Sequence, residues 1–178
     1  MRHPLNGHLW VALLLVAAAC VTPSGPDVQP LDAQVLAADS RALAYGRTVD
    51  EVIKHPDVRD KLPALFGADW TPAAGGRGQL ATGAAAFFAK GGALRMVRVA
   101  GTDYIAVTGC AADACPTQRV LLLIREGASQ LLARIDDGPI SHYYAFSYGS
   151  QSVPATATPA IVDAGLRALR SAGSPYPS

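Results

Sequence analysis

Gln118-Arg119-Val120-Leu121-Leu122-Leu123-Ile124-Arg125 is the stretch on which the fold turns. A short, continuous apolar run between polar ends reads as a central strand covered on both faces. Working outward, residues 130–136 alternate. Leu131, Ala133 and Ile135 fall on one face, and Gln130, Arg134 and Asp136 on the other. Gly127-Ala128-Ser129 joins these two strands. Upstream, residues 95–100 and 104–110 form two more strands around the turn signal Gly101-Thr102-Asp103. Downstream, Asp136-Asp137-Gly138-Pro139 is a turn, and residues 140–148 form a fifth, tyrosine-rich strand.

The flanks read as helices. In residues 31–45, Leu31, Val35, Leu36, Leu43 and Ala44 lie on a helical pattern with Asp32 as N-cap and Gly46 as the stop. Residues 48–55 predict a second, short helix ended by Pro56, and residues 57–70 a further turn or helix. Residues 73–92, rich in Gly and Ala, receive no assignment. Ile161, Val162, Leu166 and Leu169 set a closing helix over 159–172. The plan is α+β: an antiparallel sheet of about five strands flanked by N-terminal and C-terminal helices. No internal repeat is visible.

The first 19 residues carry a charged start at Arg2, an apolar core from Leu9 to Val16 and small residues at Ala17-Ala18-Ala19. That is the pattern of a secretory signal peptide. The competing reading is an uncleaved N-terminal anchor, against which the small-residue exit and the shortness of the apolar run both argue. Residues 20–30 contain Thr22-Pro23-Ser24-Gly25-Pro26 and read as a flexible tether. Residues 31–178 form a single domain. Without Arg2, 14 basic residues face 14 acidic ones, so no basic field for nucleic acid exists.

Cys20, directly after the small residues, resembles the acylated cysteine of bacterial lipoproteins, although Ala17 stands where Leu is usual. The alternative is ordinary cleavage beside a free thiol. An exported chain with three cysteines leaves one odd thiol. Lipid on Cys20 and a bridge between Cys110 and Cys115 account for all three. Val21 in place of an Asp retention signal points to the outer membrane, facing the periplasm. Cys110 and Cys115 cannot bond within one regular strand, but they can pinch a short loop between two. Such a bridge adds only about 2 kcal/mol on the loop-entropy model. Its larger effect is stiffness, which suits a loop that enters a partner's cleft.

Tyr104-x5-Cys110-x4-Cys115-x2-Gln118-Arg119 followed by an apolar strand resembles the inhibitor of vertebrate lysozyme (Ivy) family. Lys61-Leu62-Pro63-Ala64, Thr71-Pro72 and Gly91-Gly92 fit the same resemblance, which covers residues 60–138. It implies a periplasmic antiparallel sheet flanked by helices and a rigid disulfide loop that plugs the cleft of a c-type lysozyme. In that family the loop typically reads Cys-Lys-Pro-His-Asp-Cys, and its histidine reaches between two catalytic carboxylates. Here Asp113 occupies the histidine position, with Ala111, Ala112 and Ala114 around it.

The change reverses the chemistry of the tip. Two like charges about 4 Å apart repel by about 4 kcal/mol at an effective dielectric of about 20. A lysozyme acid whose pKa is raised to about 6 could, when protonated, donate to Asp113. An enzyme with one catalytic carboxylate, such as a lytic transglycosylase, tolerates Asp113 better. Asp113 could instead cap a backbone N–H within its own turn.

Other constellations carry less. His142-Tyr143-Tyr144 reads as strand packing. Asp136-Asp137-Gly138 lacks the ligand ladder of a calcium loop and reads as a turn. Glu126 and Asp136 sit near hairpin ends at the surface, without a further feature that supports hydrolysis. The cysteine spacing is not that of a thioredoxin-like motif. His55 and His142, the two histidines beyond the signal region, make no metal cluster. The expectation is a protein that binds a lysozyme or lytic transglycosylase, without cofactor and without catalysis, held to the membrane by lipid on Cys20. A second expectation is an envelope adaptor that keeps the scaffold without inhibiting.

Overall fold

A computed structural model describes residues 29–37, 39–72, 78–149, 152–173 and 175–176. The signal peptide, Cys20 and the tether up to residue 28 lie outside these residues, as do residues 73–77 of the unassigned stretch.

Five strands run in sequence order: β3 (Arg95–Val99), β4 (Thr102–Cys110), β5 (Gln118–Arg125), β6 (Gln130–Asp137) and β7 (Ile140–Ser147). Each pairs antiparallel with the next. Two shorter strands extend this meander on its β3 side. β1 (Ala33–Val35) pairs with β3, and β2 (Lys90–Gly91) pairs with the end of β4, in line with β3. The β6–β7 connection is the two-residue loop Gly138-Pro139. Gly138 takes φ 61°, the positive value that the first central residue of such a hairpin needs.

The apolar run of β5 is fully buried from Val120 to Ile124. Two layers account for this. Val120, Leu122 and Ile124 face α1 (Val49–Lys54), α2 (Pro56–Arg59) and α3 (Leu62–Phe66), through Val52, Val58, Leu62 and Phe66. Leu121 and Leu123 face α4 (Thr158–Ser171), through Val162, Leu166 and Leu169. Burying each such side chain contributes about 1.5–3 kcal/mol. Leu131, Ala133 and Ile135 of β6 share the α1–α3 side, as the alternation requires.

The helix expected over residues 31–45 is not there. Its N-terminal part is β1, with Ala33 and Val35 turned to the α4 layer in a two-residue period. Ala33 pairs with Val99 and Val35 with Val97, far away in sequence. This long-range pairing outweighs a weak local helical pattern. The remainder is a 3-10 turn at Ser40–Leu43, and its cap is Asp39 and not Asp32. The Asp39 carboxylate accepts from Arg41 N at 2.8 Å. The second helix is α1. Thr48 Oγ1 accepts from Glu51 N at 3.2 Å, Glu51 Oε2 accepts from Arg47 N at 2.6 Å, and Pro56 opens α2.

Buried polar groups knit the layers together. Asp69, buried between α3 and the strands, accepts from the backbone N–H groups of Gln79 and Leu80 and from Tyr144 Oη. Its negative charge and burial push the Tyr144 phenol well above the usual range, with burial the larger cause. On the other face, Arg134 donates to Asp136 and Asp163, each at 2.7 Å, and Tyr143 Oη donates to Asp163. This network fixes α4 to β6 and β7.

At the β3–β4 turn, Asp103 accepts from Arg98 at 2.6 Å and from Arg41 at 2.8 Å. The Arg98 bond first, and then Arg41, hold its carboxyl down to about 2, against an ordinary value of 3.8. A carboxyl depressed in the folded state contributes stability above its unfolded pKa and loses it as the pH falls through the folded one. Denaturant midpoints of the wild-type domain should therefore fall as pH drops from about 4 to about 2. In Asp103→Asn this part of the slope should vanish; an unchanged slope would mean that the clamp is not formed in solution.

Candidate functional site

The β4–β5 hairpin ends in the segment from Cys110 to Cys115, and the two cysteines are joined by a disulfide with Cα atoms 4.9 Å apart. The last strand pair before the loop is Cys110 with Arg119. Past it, Ala111 N donates to Gln118 O at 3.1 Å, and Gln118 N donates to Ala114 O at 2.7 Å. Ala114 N closes a tight turn onto Ala111 O at 3.3 Å. Backbone hydrogen bonds and the covalent bridge thus hold the same short segment.

The base of the loop is braced on three sides. Lys90 of β2 pairs with Cys110 on one edge. Gly109 permits this approach: a Cβ there would lie 2.8 Å from Phe87 O and 3.0 Å from Lys90 O. On the other edge, Gln118 Nε2 donates to Asp137 Oδ1 at 2.9 Å, and Gly138 N donates to Thr117 O at 2.9 Å. The C-terminal segment supplies the third support. Arg119 donates from Nε to Cys115 O at 2.8 Å, and its guanidinium lies 5.0 Å from the centre of the Tyr176 ring. Thr108 Oγ1 donates to Pro175 O. Burial pushes the Tyr176 phenol up to about 12, so it is neutral at physiological pH.

Within this frame the loop residues divide sharply. Cys110 and Ala111 are buried, and Ala114 and Cys115 are half-buried. Ala112 and Asp113 are exposed and form the tip. Among the described residues, the Asp113 carboxylate takes part in no hydrogen bond or ion pair. The backbone cap considered for it is not made. The tip therefore presents a carboxylate free to accept from a partner, on a backbone that is already ordered.

The other constellations are structural. Tyr143 and Tyr144 reach opposite faces and anchor to Asp163 and Asp69, and His142 Nδ1 lies 3.0 Å from Gln79 Oε1. Asp136 is not a surface residue as expected. Its side chain is 16% exposed and is held by Arg134 and Ser141. Glu126 lies at the opposite end of β5 from the loop, so the two carboxylates do not form a pair. What the sequence reading missed was the bracing by Gly109, Arg119 and Tyr176. Gly109, in the middle of an otherwise β-forming strand, was the one available signal, because a strand glycine marks close backbone approach.

No family model, no curated protein and no solved structure matches the chain. Among the described residues no helix is long and apolar enough to cross a membrane.

Gly109→Ala tests the bracing. The added methyl group forces β2 away from β4 and should cost about 1–3 kcal/mol. It should also speed amide exchange at Cys110 and Ala111 beyond the general loss of stability. A variant as stable and as protected as wild type would show that β2 does not support the loop.

Proposed function

We propose that the chain is an exported envelope protein that acts by binding, and that its Cys110–Cys115 loop blocks the active-site cleft of a muramidase. The observation that carries this reading is the unpartnered Asp113 carboxylate at the tip of a braced, disulfide-closed loop. A cleft-blocking loop binds tightly when its conformation is fixed before contact, because the ordering cost does not fall on binding. The resemblance of the cysteine block to the Ivy family supports the choice of target class. Asp113 in the histidine position selects within that class. A muramidase with a single catalytic carboxylate, of the lytic transglycosylase type, can offer Asp113 a protonated acid without a second negative charge. A two-carboxylate c-type lysozyme repels it near neutral pH.

The test is the inhibition constant of wild type and Asp113→His against a c-type lysozyme, at neutral pH and at pH about 5. The histidine variant should inhibit more strongly at neutral pH, by up to about two to three powers of ten if the full like-charge term is relieved. The gain should shrink at the lower pH, where the enzyme's acid is protonated and can donate to Asp113. Equal inhibition by both proteins at both pH values would remove the loop from the cleft. The adaptor reading would then take its place.

The same proposal includes export behind the 1–19 signal peptide, with lipid on Cys20 and residues 20–30 as the tether. Cys20→Ala should move the mature protein from the membrane fraction to the soluble periplasmic fraction, because the described domain offers no membrane-crossing helix. Mass spectrometry of the native protein should find acyl chains on Cys20. An unmodified N-terminus would contradict the tether.

A further inference from the structure

We infer that the β6–β7 turn, Gly138-Pro139-Ile140, is a second contact segment of the same binding end, and that it docks on an apolar lip beside the cleft that receives Asp113. This rests on the cleft-blocking reading above and adds a second segment to the footprint.

The turn and the loop are one unit. Gly138 N donates to Thr117 O at 2.9 Å, and Gln118 Nε2 donates to the Asp137 carboxylate next to it at 2.9 Å. In the strand register, Cys110 pairs with Arg119, Gln118 with Asp137, and Asp137 with Ile140. The disulfide loop and the turn therefore end the sheet side by side.

Their exposed surface has an unusual composition. Besides Asp113, the exposed residues of the two segments are Ala112, Pro116, Thr117, Gly138, Pro139 and Ile140. Neither segment contains Lys, Arg or Glu, the residues that ordinarily cover exposed surface. Ile140 is 57% exposed. Only Leu43 and Tyr148 join it as exposed large hydrophobics among the described residues, and Leu43 lies near the other end of the sheet, on the turn that leads to Arg41 and Asp103.

Two further features fit a preformed contact. Pro116 and Pro139 lock their own φ angles, and Gly138 already holds the positive φ of the hairpin. Little backbone freedom remains to be lost on docking. The chemistry also divides well between the segments. A lone carboxylate in a cleft gives direction but costs desolvation, whereas adjacent apolar surface supplies the non-directional gain. The partner's complementary feature is thus a hydrogen-bond donor or protonated acid in the cleft, with an apolar rim next to it.

The experiment measures inhibition constants of a c-type lysozyme and of a lytic transglycosylase by wild type, Ile140→Ser and Leu43→Ser. Thermal melting first checks that each variant is folded. Both side chains are about half exposed, so melting should be almost unchanged. Ile140→Ser should weaken inhibition of the susceptible enzyme about tenfold or more, and Leu43→Ser should leave it unchanged. If wild type inhibits and Ile140→Ser inhibits equally well, the second segment is wrong and the cleft-blocking loop stands. If both variants weaken inhibition equally, the effect is not local and the second segment is again wrong. If wild type inhibits neither enzyme, both readings fall together.

Discussion

The double coverage of β5 is the constraint on which the rest of the structure depends. An antiparallel sheet commonly keeps one face in water. Here five successive side chains of the central strand, Val120 to Ile124, are all apolar and all buried. Whichever way each points, it must meet a layer. The α1–α3 layer comes from the chain before the β3–β7 meander, and α4 from the chain after it. The sheet cannot be finished without both. The disulfide loop inherits its stiffness from this arrangement, because it is the turn between β4 and β5, both buried over most of their length.

Double coverage has a second effect. Polar residues of the meander's α4 side lie under a helix instead of in water, and each needs a partner. Tyr104 Oη donates to Gln130 Oε1 at 3.0 Å, and Arg134 is held by Asp136 and Asp163. The tyrosines of β7 show the same logic from both sides, with Tyr143 tied to Asp163 and Tyr144 to Asp69. These pairs fix the depth at which each layer sits on the sheet. They explain why the tyrosine-rich strand and the Asp136 carboxylate are tied into the scaffold.

The meander was legible in the sequence because its signals are local. The apolar run of β5, the alternation of β6 and the turn residues at Gly101 and Gly138 each lie within a few positions of the element they define. The strand β1 was not legible. Three residues carry no periodicity of their own, and Ala33 and Val35 are strand residues only because Val97 and Val99 are there to pair with them. The disulfide loop could be read from cysteine spacing. Its supports could not, since Arg119, Tyr176 and Lys90 converge on it from three parts of the chain. The surface position of Glu126 and Asp136 was inferred from turn proximity alone. It failed for Asp136, because Arg134 and Ser141 draw its carboxylate into the network on the α4 side of the sheet.

The topology also sets an order of assembly. The five strands from β3 to β7 contact only their sequence neighbours within the meander, so each hairpin closes a short loop at low entropic cost. β1 joins β3 only after a separation of some sixty residues has been closed. The meander is therefore the natural early unit, and β1 is the natural last arrival and the first to leave. In native-state amide exchange, the bonds from Leu36 N to Met96 O and from Ala100 N to Asp32 O should open before those of β4 and β5. If all of them opened together, β1 would have to be counted as part of the cooperative core. An early unit that already contains the β4–β5 hairpin brings Cys110 and Cys115 together before the fold is complete. The oxidation that closes the loop then does not have to wait for the termini.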